Sequence, residues 1–427
     1  MRSIDLNETH GRLPSRRARV RRRWAAGRIG LVSIVMLSMC GIFLAVTLRA
    51  DKDAAQPQAQ RDETPLEAPD ARSWASFRNG PLQTGVATSS LPEKLELRWK
   101  HPMTDGVVTA SAIVGEHVYV PGLGGNLVCL RLDTGKPVWS YRSIESDDPD
   151  EFAPGFKAAP TVTADTVYLG DEDGIFHAVD RETGKQKWIV TSDAEIAGGA
   201  AVVGENVIFG SHDSFLYCVK AADGSAVWKF PTQDRINCSP AIAGQYTFVA
   251  GCDEHLRVID LEQGTEKSDI PLNSFLIASP AVIGDMLYVG TYASEVVAVD
   301  WKRSEIVWRY RDEKLEFPYH ASAAVTDKFV VVGGHDRQMH CINRETGKGI
   351  WKFPTRGRIE SSPVIVGNRV FFGCADRNIY GLNLEDGERV WKFNANASIS
   401  AAPAVGEGCL VIGTEGSKGA VLCFSGQ

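Results

Sequence analysis

Ala178-Val179-Asp180-Arg181-Glu182-Thr183-Gly184-Lys185-Gln186-Lys187-Trp188 recurs downstream as Cys341-Ile342-Asn343-Arg344-Glu345-Thr346-Gly347-Lys348-Gly349-Ile350-Trp351. In both stretches an apolar strand-like run enters a Thr-Gly turn and leaves through a second strand ending in tryptophan. The glycine supplies the positive φ that a tight hairpin needs, and the indole offers a large flat surface whose N–H seeks a backbone partner. Related copies place tryptophans on a lattice: Trp99, Trp139, Trp188, Trp228, Trp308, Trp351 and Trp391, separated by 40, 49, 40, 80, 43 and 40 residues. The step of 80 is two periods, with Ser268 at the position between them where a tryptophan is due. A period near 40 residues filled with β-branched residues and turns points to propeller blades rather than helical repeats.

One unit shows the blade. Ser361-Ser362-Pro363-Val364-Ile365-Val366 turns at Gly367-Asn368 into Arg369-Val370-Phe371-Phe372-Gly373; a turn at Ala375-Asp376-Arg377 leads to Ile379-Tyr380-Gly381-Leu382, and Glu385-Asp386-Gly387 to Arg389-Val390-Trp391-Lys392-Phe393. That is four antiparallel strands. Equivalent segments begin near Ala110, Ala158, Gly198, Cys238, Ala278, Ala321, Ser361 and Ala401, which predicts eight blades over residues 73–427. The last copy lacks a fourth strand, and Leu95–Lys100 is a fourth strand with no blade before it, so the two ends are expected to complete one blade. Ser268 in place of tryptophan, and Arg303-Ser304 in place of Thr-Gly, predict looser packing at blades 4 and 5.

Ahead of the propeller lie three segments. Nine arginines against Asp5 and Glu8 give the basic, cytoplasmic residues 1–28 a charge of +7, leaving −14 for the other 399 residues of a chain whose total is −7. Clustered Lys and Arg for phosphate contacts are therefore not expected on the body, and no nucleic-acid partner is. Ile29–Leu48 is twenty residues without a charge, enough for one helical span, so residues 29–49 are expected to be a transmembrane signal-anchor. The arginines before it put the N-terminus in the cytoplasm and the propeller on the periplasmic side of the inner membrane. Residues 50–72, with little to bury, read as a flexible linker.

The Ala178-x-Asp180-x-x-Thr183-Gly184-x-x-x-Trp188 pattern resembles the tryptophan-docking motif of the pyrroloquinoline-quinone-like propeller repeat family, over roughly residues 73–427. Trp74–Gly85 (WASFRNGPLQTG) is similar to the lead-in of exported members. The resemblance implies a propeller with structural Trp and Gly residues. It implies either a quinone-dependent dehydrogenase or a non-catalytic outer-membrane assembly factor of the BamB type. The dehydrogenases carry an adjacent-cysteine disulfide and some a haem site; this chain's nine cysteines include no Cys-Cys pair and no C-x-x-C-H. Cys129, Cys218, Cys341 and Cys423 share a small-residue column with Ala178, Val258, Ala298 and Gly381 and read as packing, with Cys409 and Cys423 a candidate pair.

At the mouth of the expected channel the blades present Thr109, Lys157, Ala197, Asn237, Ile277, His320, Glu360 and Ser400, with Arg235 and Arg358 two residues upstream of their columns. A ring of charge, amide and imidazole is where a propeller would hold a ligand or partner; in an unliganded channel it would simply be hydrated. The candidate binding residues are thus Thr109, Lys157, Arg235, Asn237, His320, Arg358 and Glu360. No catalytic residue and no metal site is expected, and Glu360 with Asn237 would meet Ca²⁺ beside a quinone only under the enzyme alternative. Insertions at Ser143–Phe156, rich in acidic residues, and at Leu315–Tyr319 make the loops on this rim unequal, as on partner-binding faces. The sequence therefore points to a membrane-anchored envelope scaffold that binds envelope proteins without a cofactor. The alternatives are a quinone- and calcium-dependent oxidoreductase and a carbohydrate-binding propeller.

Overall fold

Short runs of two or three residues after each mouth residue form the innermost strands, and their burial is why most read as continuous runs of small and β-branched residues. A computed structural model describes residues 69–426, apart from 147, 149, 150 and 313–315. The anchor expected at residues 29–49 lies outside this range, and among the described residues no helix is long and apolar enough to cross a membrane.

Eight four-stranded antiparallel sheets make blade 1 (residues 112–142), blade 2 (161–191), blade 3 (201–231), blade 4 (241–271), blade 5 (281–311), blade 6 (324–354), blade 7 (364–394) and blade 8. In blade 8 the outer strand Glu96–Pro102 comes from the start of the propeller and pairs with Ala420–Ser425 at its end. The ring is closed by hydrogen bonds between the two ends of the propeller segment, as the strand count predicted. Cys409 and Cys423 in this blade are thiols, not a disulfide. The Cys423 thiol and the nearby Arg98 guanidinium hold Cys409 below the usual thiol range, and the same contact with burial pushes Cys423 up.

Between blades the indoles do the joining. Trp99, Trp139, Trp188, Trp228, Trp308 and Trp351 each donate Nε1–H to a backbone carbonyl in the next blade's third turn, at 2.8–3.0 Å, and Trp391 reaches Leu95 O at 3.2 Å. The turn glycine of that next blade lies against the ring face: a Cβ on Gly135, Gly184, Gly264 or Gly387 would come within 2.5–2.6 Å of Trp99, Trp139, Trp228 or Trp351. The glycine is needed for its positive φ and for its missing side chain. Within its own blade each tryptophan stands opposite the small-residue column, as in Cys129↔Trp139, Ala178↔Trp188 and Gly381↔Trp391, which is why that column holds Cys, Ala and Gly.

The looser junction expected at blades 4 and 5 is not found. Ser268 faces Val258, the bulkiest member of the small-residue column. Trp301, from the third turn of blade 5, enters the gap from the other side, lies 5.0 Å from Phe248 ring to ring, and gives its N–H to Gly284 O at 3.1 Å. It is 9% exposed. Ser304 replaces the turn glycine because no indole presses on it from blade 4. The junction keeps its aromatic filler by reversing which blade supplies it.

The lead-in closes one end of the channel. Its backbone bonds in turn to the ends of innermost strands: Trp74 with Ile113, Ala75 with Val162, Pro81 with Ile242, Leu82 with Val282, Thr84 with Val325 and Gly85 with Ile365. Arg78 lies buried in this coil and donates to Pro363 O at 2.6 Å and Ala323 O at 2.7 Å, carbonyls of blades 7 and 6. Burial pulls its guanidinium down to about 9, so it remains charged at neutral pH. Gly85, at φ +67°, leaves the room: a Cβ there would sit 1.9 Å from Arg78 Nη2.

Trp301→Ala should lower unfolding free energy by about 3–5 kcal/mol, in the range of a core tryptophan deletion. Urea denaturation of Trp301→Leu combined with Ser268→Trp and Ser304→Gly should recover most of that loss; failure to recover would mean that Trp301 is not the replacement for the absent indole.

Candidate functional site

Two columns of residues build the open end of the channel. The first precedes each innermost strand, and the second is the turn between the second and third strands. The turn's amide donates to a carbonyl two residues before the mouth residue: His212 to Glu195, Cys252 to Arg235, Tyr292 to Phe275, His335 to Pro318 and Ala375 to Arg358. Below the mouth, serine hydroxyls carry a chain of bonds from blade to blade. Gly199 N–H donates to Ser239, Ser239 N–H to Ser279, Ser279 N–H to Ser322 and Ser322 N–H to Ser362, each at 2.8–2.9 Å.

Thr109, Lys157, Ala197, Asn237, Ile277, His320, Glu360 and Ser400 line one cavity of about 170 Å³, with Phe77 of the lead-in also in its wall. The structure thus brings the whole first column together. Arg235 and Arg358 stand outside it: both are exposed, Arg235 beside Asp234 at 3.7 Å and Arg358 bonded to Glu360 Oε1 at 2.9 Å. The second column, invisible as a set in the sequence reading, supplies the partners. Lys157 bridges Glu172 at 2.8 Å and Glu195 at 3.2 Å, His212 Nε2 meets Asn237 Oδ1 at 2.6 Å, and His335 Nε2 lies 3.2 Å from Glu360 Oε1. Burial first, then His335 and Arg358, pull the His320 imidazole down to about 4. The signal that would have found these residues is the position two after each second strand, which varies as Glu172, His212, Cys252, Tyr292 and His335.

Described residues of the acidic insertion gather on one side chain: the Arg142 guanidinium donates to the carbonyls of Ser146, Asp148 and Glu151. These carbonyls therefore already serve a cation. Phe152 of this loop is exposed, as are Phe275, Tyr292 and Phe317 around the mouth from blade 4 to blade 6.

A quinone with calcium does not fit the residues present. The cavity is about half the roughly 300 Å³ at which small-molecule sites begin. Glu360 lines it, and the lining Lys157 is already committed to Glu172 and Glu195, so a quinone tricarboxylate would meet a carboxylate and no uncommitted lysine. Asn237 arrives with blade 4 and Glu360 with blade 7, each bonded to its own neighbours rather than to a shared point.

Sequence reasoning also missed two buried relays. Tyr141 OH lies 2.8 Å from His177 Nδ1 and His177 Nε2 3.0 Å from Asp171; Tyr310 OH lies 3.0 Å from His340 Nδ1 and His340 Nε2 2.8 Å from Asp336. They recur four blades apart, in the two blades that follow the insertions, and Phe156 and Tyr319 from those insertions stand edge-on to the imidazoles. Lys352 caps Asp312 beside the second relay at 2.5 Å.

Residues 83–310 and 314–426 match the family described as outer membrane protein assembly factor BamB. Among curated relatives, quinohemoprotein alcohol dehydrogenase ADH IIB of Pseudomonas putida is 30% identical over 103 residues, 23% of this chain and 14% of that protein. Outer membrane protein assembly factor BamB of Xanthomonas campestris is 28% identical over 163 residues, 38% of this chain and 36% of that protein. The chain thus spans well under two thirds of either relative. The solved BamB of Moraxella catarrhalis superposes with a TM-score of 0.66 at 17% identity, covering 78% of this chain and 98% of its own, a likeness of fold.

Tyr141→Phe, which removes the contacts to His177 and Gln186, and Tyr310→Phe, which removes the contact to His340, should each destabilise by about 1–3 kcal/mol, the cost of leaving a buried polar partner unsatisfied. Because the relays lie four blades apart, the double variant should show the sum in chemical denaturation. A coupling well above about 0.5 kcal/mol would mean that the two relays do not act as separate local struts.

Proposed function

The chain belongs to the propeller family of outer membrane protein assembly factor BamB, and we propose that it is a non-catalytic scaffold that binds a protein of the cell envelope through the open mouth of its channel. The observation that carries this reading is the contrast between the two ends. One is sealed by the lead-in around Arg78. The other presents a cavity too small for most ligands, ringed by exposed Phe275, Tyr292 and Phe317 and by unequal loops. Aromatic side chains beside arginines are the residue types that dominate protein–protein contacts. Residues 29–49 would anchor the chain in the inner membrane with the propeller on the periplasmic side, and residues 50–72 would give it reach.

Photo-crosslinking side chains at positions 275 and 317 should capture an envelope protein, identified by mass spectrometry, whereas position 390 on an outer strand should not. Arg235→Ala with Arg358→Ala should reduce that capture several-fold while leaving the unfolding transition in place. Equal capture at position 390, or capture indifferent to both arginines, would move the binding face away from the mouth.

A further inference from the structure

We propose that His320, His335 and Glu360 form a binding site for one divalent transition-metal ion at the rim of the channel. One ligand atom from each of the three lies within 4.8 Å of the other two. The His335 Nε2 to Glu360 Oε1 separation of 3.2 Å already matches two ligands of one ion, since metal–ligand bonds of about 2.0–2.1 Å in tetrahedral array place donors roughly 3.4 Å apart. His320 Nε2 is buried and has no hydrogen-bond partner, which is uncommon for an imidazole nitrogen away from water.

The three donors come from separate pieces of backbone, all held in place. His320 opens blade 6, His335 sits on the turn between that blade's second and third strands, and Glu360 opens blade 7. The His335 amide donates to Pro318 O at 3.2 Å, fixing the turn against the loop that delivers His320. Gly334 permits this turn, because a Cβ there would meet Asp336 Oδ1 at 2.4 Å. The two imidazole rings lie 4.0 Å apart at 44°, and Tyr292 covers the far side of His320 at 5.4 Å.

Two imidazoles and a carboxylate suit Zn²⁺, Ni²⁺ or Cu²⁺, and exclude calcium, which takes six or more oxygens. Arg358 shares Glu360 Oε1 at 2.9 Å, but it is 61% exposed and can turn into solvent as the ion takes that oxygen. Three protein ligands leave a coordination position open, and the cavity beside it is lined by Asn237, Ile277 and Ser400. A bound ion would therefore carry a water or an exchangeable ligand at the mouth. The inference stands apart from the scaffold reading, which requires no metal.

The test uses the full-length chain in detergent, stripped with chelator and titrated with Co²⁺, whose visible ligand-field bands report coordination. One equivalent should bind, Zn²⁺ should bleach the bands, and His320→Ala or Glu360→Gln should weaken binding by at least about a hundredfold. His117→Ala, at the start of the second strand of blade 1 and away from the mouth, should bind as the parent does, and circular dichroism should show all variants folded. Absence of stoichiometric uptake overturns the site. So does uptake that survives His320→Ala with His335→Ala, which would place the ion elsewhere on the chain.

Discussion

An indole held between two blades is the contact on which this molecule depends. It faces a small residue on its own blade and a glycine on the next, and its N–H reaches a carbonyl that the next blade's turn leaves free. Each blade alone is a four-stranded sheet with both faces apolar and nothing to cover them. Only when neighbours stack on both sides, and the first and last strands pair to close the circle, is every face buried. The reversed arrangement at Trp301 shows that the filler matters more than its origin. What the junction needs is one large flat ring against Phe248, and either blade can provide it.

That architecture leaves a channel whose two ends meet different fates. At the far end, backbone groups of the innermost strands would face solvent in a narrow hole; the lead-in satisfies them one blade at a time and spends a buried arginine on two more carbonyls. At the near end, side chains from two columns meet one another instead, and His320 Nε2 is left without a hydrogen-bond partner. The mouth is consequently an open region of the propeller where charge, imidazole and aromatic groups gather without being required by the repeat. That is why both the proposed partner surface and the proposed metal site fall there.

Much of this was legible because a repeat writes the same physical demand eight times. The position of Trp188 relative to Gly184, and of Cys129, Ala178 and Gly381 in one column, carries the fold in residue types that only a docked indole explains. The first mouth column was legible for the same reason: a position free to vary as Lys157, Asn237, His320 and Glu360 is one the packing does not use. Trp301 was not legible, because it lies at a position where other blades hold Leu132, Arg181 or Ala221, and nothing local marks it as a substitute. The Tyr–His–Asp relays escaped for a related reason, since each joins two blades and appears in only two of eight.

The sequence by itself determined the blade count, the strand order and the joining of the two ends, because those follow from a local period and from hairpin turns between adjacent segments. Tertiary structure alone decided which residues meet: Lys157 with Glu172 within blade 2, and across blades Lys157 with Glu195, His212 with Asn237, His335 with Glu360, and Arg78 with the carbonyls of blades 6 and 7. The two imidazole pairs share one spacing of 25 residues, the step from a blade's second turn to the next blade's mouth, whereas Arg78 and Pro363 lie 285 residues apart. Their geometry is set by how each blade is rotated onto the next, a consequence of packing that no single repeat contains.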